Sequence, residues 1–164
     1  ADKKIYLLYP DGSRLNLIRA HNIPVCPDVY NFKRIGEKLQ FTLEFPALKP
    51  GTRWIDIIED CNDNCFLFYG VLLDSELNKQ IDEAVALVDQ GAIDNAIGLY
   101  KKIIEGEGTS GNGITGSLYS DLIFLLNKKG YTQEASEWYK KLLSSKAPRL
   151  QLYINNLNSR GIKF

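Results

Sequence analysis

The chain has 164 residues, 45% of them hydrophobic, with 20 basic and 20 acidic side chains and a formal net charge of zero. That composition supports a folded core, excludes a disordered chain, and supplies no global field for nucleic acid or an anionic membrane. No apolar run approaches the ~20 residues that a bilayer-spanning helix needs, so no membrane insertion is expected. The chain starts Ala1-Asp2-Lys3 and contains no methionine, which reads as a processed mature form or an excised piece of a longer chain; either is compatible with export.

Residues 1–74 read as an antiparallel β domain. Lys4 to Tyr9, Arg14 to Arg19, Leu39 to Phe45, Arg53 to Asp60 and Phe66 to Leu73 are rich in β-branched, aromatic and aliphatic residues. In Leu39 to Phe45 apolar and polar residues alternate strictly, which predicts one face on a core and one in water. Pro10-Asp11-Gly12-Ser13 suits a hairpin turn, and Pro46 to Gly51 holds two prolines and a glycine. Pro24 and Pro27 predict an irregular or edge-like stretch over 20–37. The expectation is a small sandwich-like sheet of about five strands.

From Ser75 the apolar period changes from two to about 3.6. Leu77, Ile81, Ala84, Val85 and Val88 form one stripe, ended by Gly91. Ile93, Ala96, Ile97, Tyr100, Ile103 and Ile104 form the next. A glycine-rich connection follows over Gly106 to Gly116, and Leu118, Leu122, Leu125 and Leu126 predict a third helix stopping at Gly130. Tyr131, Ala135, Trp138, Tyr139, Leu142 and Leu143 predict a fourth. Pro148, as a first helical residue, opens a fifth closed by Gly161.

Within this half a signature occurs twice at a spacing of 39: Gly91, Ala96, Tyr100 and Lys101-Lys102-Ile103-Ile104 return as Gly130, Ala135, Tyr139 and Lys140-Lys141-Leu142-Leu143. Self-similarity at such a period marks stacked helical repeats, which hold partners rather than make or break bonds. The pattern resembles the tetratricopeptide repeat (TPR) over residues 77–146. In that family a glycine occupies the tight turn, a small residue lets the helices approach and an aromatic fills the space between them. The resemblance implies repeats over about 77–105 and 117–144 and a capping helix over about 148–160, within a helical domain 75–164. The sequence departs from the family at Ile123, where a small residue is usual, and in the insertion Gly106 to Gly116, which lengthens the period.

The resemblance also implies a partner groove on the inner face of each first helix. Its positions fall on Asn78, Ile81, Val85, Val88 and Asp89, and on Ser117, Ser120, Phe124, Asn127 and Lys128. Lys128 is the only cation among them, so the basic clamp some members use for a C-terminal carboxylate is missing. An apolar groove around Val85 and Phe124 instead suits a hydrophobic peptide, or is filled by the chain's own β domain or last helix. More weakly, Phe41 to Pro46, Gly51 to Glu59 and Cys65 to Gly70 are similar to a β-domain of exported bacterial envelope proteins, which implies a periplasmic or exported address; a cytoplasmic one is the alternative.

Candidate chemistry is sparse. Cys61 and Cys65 bracket Asn62-Asp63-Asn64 between two predicted strands, and a disulfide, free thiols or a metal pair short of ligands are the readings open there, with Cys26 apart. Asp60-x-Asn62-x-Asn64 begins like a calcium loop, but Cys65 and Val71 stand where that loop needs Gly and Glu. Gly106 to Gly111 and Gly111 to Gly116 each spell G-x-G-x-x-G, yet they follow a helix rather than a strand. His21 is the single histidine and reads as an exposed loop residue; Glu59-Asp60 and Asp82-Glu83 read as solvated acids. Acids predominate over 76–107 and bases from 130 onward, which could orient a charged partner.

These readings predict an α+β chain without catalysis, metal or cofactor. Its expected partner is another protein or a peptide, bound along the inner helical face, with Trp138 as an anchor if exposed. The alternative is a glycan- or peptide-binding accessory module using β-domain aromatics.

Overall fold

The computed structural model describes residues 4–25, 27–61, 65–107 and 111–164, and they divide into two compact units, Ala1–Val71 and Leu72–Phe164. The architecture is α+β, with antiparallel sheets preceding five helices.

In the first unit β1 (Ile5–Leu8) turns back into β2 (Arg14–Asn16). The reversal is closed by Gly12 N–H on Tyr9 O and Tyr9 N–H on Ser13 O, both at 2.9 Å. Gly12 has φ +80°, the left-handed conformation such a hairpin requires and a glycine accepts without strain. Lys49 clasps this hairpin: Nζ reaches Asp11 Oδ2 at 2.9 Å and Ser13 Oγ at 2.6 Å, while its N–H donates to the Tyr9 hydroxyl at 3.2 Å. The bonds from Ser13, then that from Lys49, hold the Asp11 carboxyl well below its ordinary value.

Strand β1 also pairs with β5 (Trp54–Glu59), and β6 (Leu67–Leu72) completes a four-stranded sheet ordered β2-β1-β5-β6. Leu7, Tyr9 and Ile55 form its buried cluster, with Leu15, Phe45, Leu48, Ile57 and Val71 packed against it. A second, two-stranded sheet joins β3 (Arg19–His21) to β4 (Thr42–Glu44). The predicted strand Arg14 to Arg19 thus divides. Leu17 N–H still donates to Ile5 O at 3.0 Å, but the next residue, Ile18, donates to Glu44 O at 2.8 Å, so the chain changes sheets between them.

Within the stretch 20–37, expected to be irregular or edge-like, residues 20–21 belong to β3, an edge strand of the two-stranded sheet, because β4 offers them a partner. The predicted strand Leu39 to Phe45 contracts to Thr42–Glu44. Glu59, expected in water, is 7% exposed and its Oε2 accepts the Phe66 N–H at 3.1 Å.

The second unit contains α1 (Ser75–Asp89), α2 (Ile93–Glu107), α3 (Thr115–Lys128), α4 (Thr132–Ser144) and α5 (Leu150–Ser159). Asp74 caps α1, its Oδ1 accepting the N–H groups of Glu76 and Leu77 at 3.0 Å each. Helix α1 packs on α2, α3 on α4, α2 on α3, and α5 on α3. The spacing between the glycine-terminated helices has a structural counterpart. Gly91, Gly130 and Gly161 have φ +77°, +81° and +79°, and the following N–H groups return to helical carbonyls: Ala92 to Leu87, Tyr131 to Leu126, Ile162 to Leu157, at 2.9 to 3.0 Å. Ala84, Ala96 and Ala135 are fully buried, as is Ile123, the residue that departs from the small-residue pattern.

The glycine-rich connection is shorter than expected, because α2 runs through Gly106 and α3 already includes Thr115 and Gly116; residues 108–110 lie outside the described set. Buried Asn112 starts α3 by accepting from Thr115 Oγ1 at 2.8 Å and Ile114 N at 3.2 Å. Gly116 has a packing reason: a Cβ there would lie 2.2 Å from the Tyr153 ring on α5. Pro148 is not the first helical residue; Arg149, at φ +58°, separates it from α5.

Candidate functional site

Residues of α1, α2 and α3 and the residue that ends α5 converge on one cleft. Val85 and Val88 from α1, Tyr100 from α2, Asp121, Phe124 and Leu125 from α3, and Arg160 at the end of α5 line about 220 Å³. Helical spacing explains the two main walls: 85 and 88, and 121, 124 and 125, are three or four residues apart and so share a face. A second cleft of about 240 Å³, lined by Ser117, Ser120, Leu152, Tyr153 and Asn156, shares Asp121 and Arg160 with the first. These two residues therefore stand between a mainly apolar compartment and a more polar one.

The electrostatics of that junction follow from burial. Desolvation pushes the Asp121 carboxyl up from its ordinary value, and the positive charge of Arg160 offsets part of the effect. Burial, then the Asp121 charge, pushes the Tyr100 hydroxyl up to about 12. The Arg160 guanidinium lies 4.7 Å from the Phe124 ring centre, a cation–π contact that keeps it over the cleft floor.

Of the expected groove residues, Val85, Val88 and Phe124 meet in the first cleft, while Ile81, Asn127 and Lys128 do not line it. Ile81 and Asn127 are half-buried and Lys128 is exposed. Ser117 and Ser120 line the second cleft. Asn78 is engaged elsewhere, Nδ2 donating to Leu72 O at 3.2 Å, and Asp89 is exposed. The expected groove omitted Asp121, whose place one turn before Phe124 was the signal that could have included it; Tyr100 carried only a core signal, and nothing local pointed to Arg160.

Trp138 cannot be an exposed anchor. It is 5% exposed, packed with Tyr119 at 5.8 Å between ring centres and covered by Lys141 Nζ at 3.7 Å. The ion pairs between helices do not follow the charge asymmetry: Lys101, in the acidic stretch, pairs with Glu134, in the basic one, at 2.5 Å, and Lys129 pairs with Asp94 at 2.9 Å. Lys129 holds the Asp94 carboxyl below its ordinary value.

Cys61 and Cys65 form a disulfide, with Cα atoms 5.6 Å apart. Cys26 and the calcium-like positions Asn62 and Asn64 lie outside the described residues. Among the described residues no cluster of three or more His, Cys, Asp and Glu is arranged to hold a metal ion, and no helix is long and apolar enough to cross a membrane. His21 is on β3 rather than in a loop, exposed, with Nε2 at 3.2 Å from Glu44 Oε2. No protein-family model, curated protein or solved structure matches the chain.

Proposed function

We propose that this chain is a non-catalytic protein-interaction module, whose TPR-like helical unit receives an apolar segment of another protein, as an accessory subunit of a bacterial cell-envelope assembly. The observation that carries the reading is the convergence of Val85, Val88, Phe124 and Leu125 from two glycine-terminated helices on one cleft. The repeated cap geometry at Gly91 and Gly130, with buried Ala96 and Ala135 at the same offset from each, supports relatedness of the two helix pairs. Affinity would come from displacing water from the apolar wall, with the Asp121–Arg160 junction setting the register of the bound segment.

The Cys61–Cys65 bridge supports an oxidising compartment, and with it the periplasmic or exported address over the cytoplasmic one. The glycan-binding alternative would use exposed aromatics of the β unit such as Phe32, Phe68 and Tyr69; of the ring pairs there, Phe66 and Phe68 are tilted by 37° and Tyr30 and Phe32 by 76°, so neither is a coplanar platform.

The test uses the oxidised chain as crosslinking bait in native envelope fractions, beside a Val85→Glu/Phe124→Glu variant. Any crosslinked segment is then synthesised and titrated calorimetrically against both proteins. One stoichiometric partner, whose peptide binds the wild type and loses about 100-fold or more on the variant, supports the cleft as the site. No specific partner, or equal binding by the variant, removes it.

A further inference from the structure

The three most exposed large apolar side chains among the described residues occur in a single short stretch. Val29, Phe32 and Ile35 are 74%, 59% and 106% exposed, and all lie in the connection between β3 and β4, residues 22–41. A connection this long whose described residues form no helix or strand is uncommon in a small domain unless it carries function.

The stretch has internal order. Glu37 Oε1 accepts the Tyr30 hydroxyl at 2.5 Å and its Oε2 accepts the Lys33 N–H at 2.6 Å. Glu37 N–H in turn donates to Arg34 O at 3.3 Å, Gly36 reverses the chain at φ +82°, and the Tyr30 and Phe32 rings meet edge-on at 5.0 Å. Tyr30, and secondarily the Lys33 N–H, hold the Glu37 carboxyl below its ordinary value, so the anion stays engaged within the turn. What the turn presents outward is apolar groups interleaved with the exposed cations Lys33, Arg34 and Lys38; Asp28 is the one exposed acid beside them.

The combination of groups points to the partner. Ile35, exposed beyond the extended-peptide reference, precedes the reversal at Gly36, and exposed Lys33, Arg34 and Lys38 interleave along the chain with the exposed apolar residues. Aliphatic and aromatic side chains at such a tip, interspersed with cations, match the boundary between lipid headgroups and acyl chains. There apolar groups sink roughly 5–10 Å while basic residues meet anionic headgroups. The zero net charge of the chain does not oppose this, because such attraction acts within about one Debye length, ~8–10 Å, and is therefore local.

We propose that the 29–38 turn is an interfacial anchor, inserting Val29, Phe32 and Ile35 shallowly into an anionic lipid surface while Lys33, Arg34 and Lys38 contact its headgroups. It spans nothing, and it is independent of the cleft on the helical unit.

Flotation of the full chain with phosphatidylcholine vesicles, with and without phosphatidylglycerol, tests it. Binding is expected to the anionic vesicles, falling with added salt, and to be much weaker on the neutral ones. Phe32→Ser/Ile35→Ser lowers the partition coefficient about tenfold or more. Lys33→Gln, Arg34→Gln and Lys38→Gln each lower it roughly fivefold on the anionic vesicles alone. Because these side chains are exposed, unchanged thermal midpoints are expected, which separates lost binding from lost folding. The proposal is overturned if the wild type does not float with anionic vesicles, if the double variant floats equally well, or if that variant loses a protein partner while its vesicle binding is unchanged.

Discussion

In residues 72–164 the large, fully enclosed side chains Leu122, Ile123, Leu126, Leu142 and Leu157 come from three helices, whereas in the described part of residues 1–71 only Ile5 reaches the same burial. The β unit makes up for its thin core with directed ties: the Cys61–Cys65 bridge, the Lys49 clasp on the hairpin, and Asp56 Oδ1 accepting the Gly70 N–H at 2.7 Å. Non-directional burial scales with the apolar area that adjoining helices enclose, while a small sheet with one covered face needs specific bonds to keep its register. The same thin core leaves apolar residues of the β unit outside, including the 29–35 tip.

The contrast can be tested separately in each unit, since Trp54 lies on β5 and Trp138 on α4. Replacing either tryptophan by phenylalanine leaves the other as a local reporter. The largest effect is expected from Leu122→Ala, which removes a fully buried side chain from α3 and should cost about 2–5 kcal/mol. Urea unfolding followed by Trp138 should shift, and unfolding followed by Trp54 much less. Equal shifts in both would show that the two units unfold as one and break the comparison.

An intermediate effect is expected from Cys61→Ser/Cys65→Ser. The loop is short, with a sequence separation of 4, so chain-entropy arguments give about 2 kcal/mol. Here the Trp54 transition should move and the Trp138 transition stay. A β unit indifferent to loss of the bridge would mean that its hydrogen bonds alone suffice.

The smallest effect is a pH dependence at the cleft. The Asp121 carboxyl is raised by burial, so its ionisation opposes folding once the pH exceeds the ordinary aspartate value, and progressively more up to its folded value. Asp121→Asn should therefore raise the urea midpoint near neutral pH, with the gain vanishing as the pH falls below that ordinary value. Arg160→Gln should act in the opposite direction at neutral pH, because it removes the charge that offsets the desolvation. A gain from Asp121→Asn that persisted in acid would assign the effect to packing instead.

Much of the helical unit was legible because its signals are local. A 3.6-residue stripe needs only one turn of context, and Gly91, Gly130 and Gly161 each end a helix by a conformation most other residues resist. The β unit was harder. Arg19–His21 has a weak strand pattern of its own and becomes β3 only because β4 lies beside it. In the cleft, Val85, Val88 and Phe124 were among the groove positions that the TPR resemblance implied, but Ile81, Asn127 and Lys128, implied by the same resemblance, miss it.

By itself the sequence determined the α+β order, the five helices, three of them with glycine stops, and the apolar character of the α1 and α3 faces. Those are consequences of backbone preference and of periodicity within a few residues. Tertiary structure alone decided that Trp138 is covered, that Glu59 is buried against the Phe66 N–H, that the chain changes sheets after Leu17, and that Arg160 closes over Phe124. Each of these depends on which distant segment arrives to remove water or to offer a hydrogen bond. Such a pairing is a property of the whole packed unit, and no window of neighbouring residues contains it.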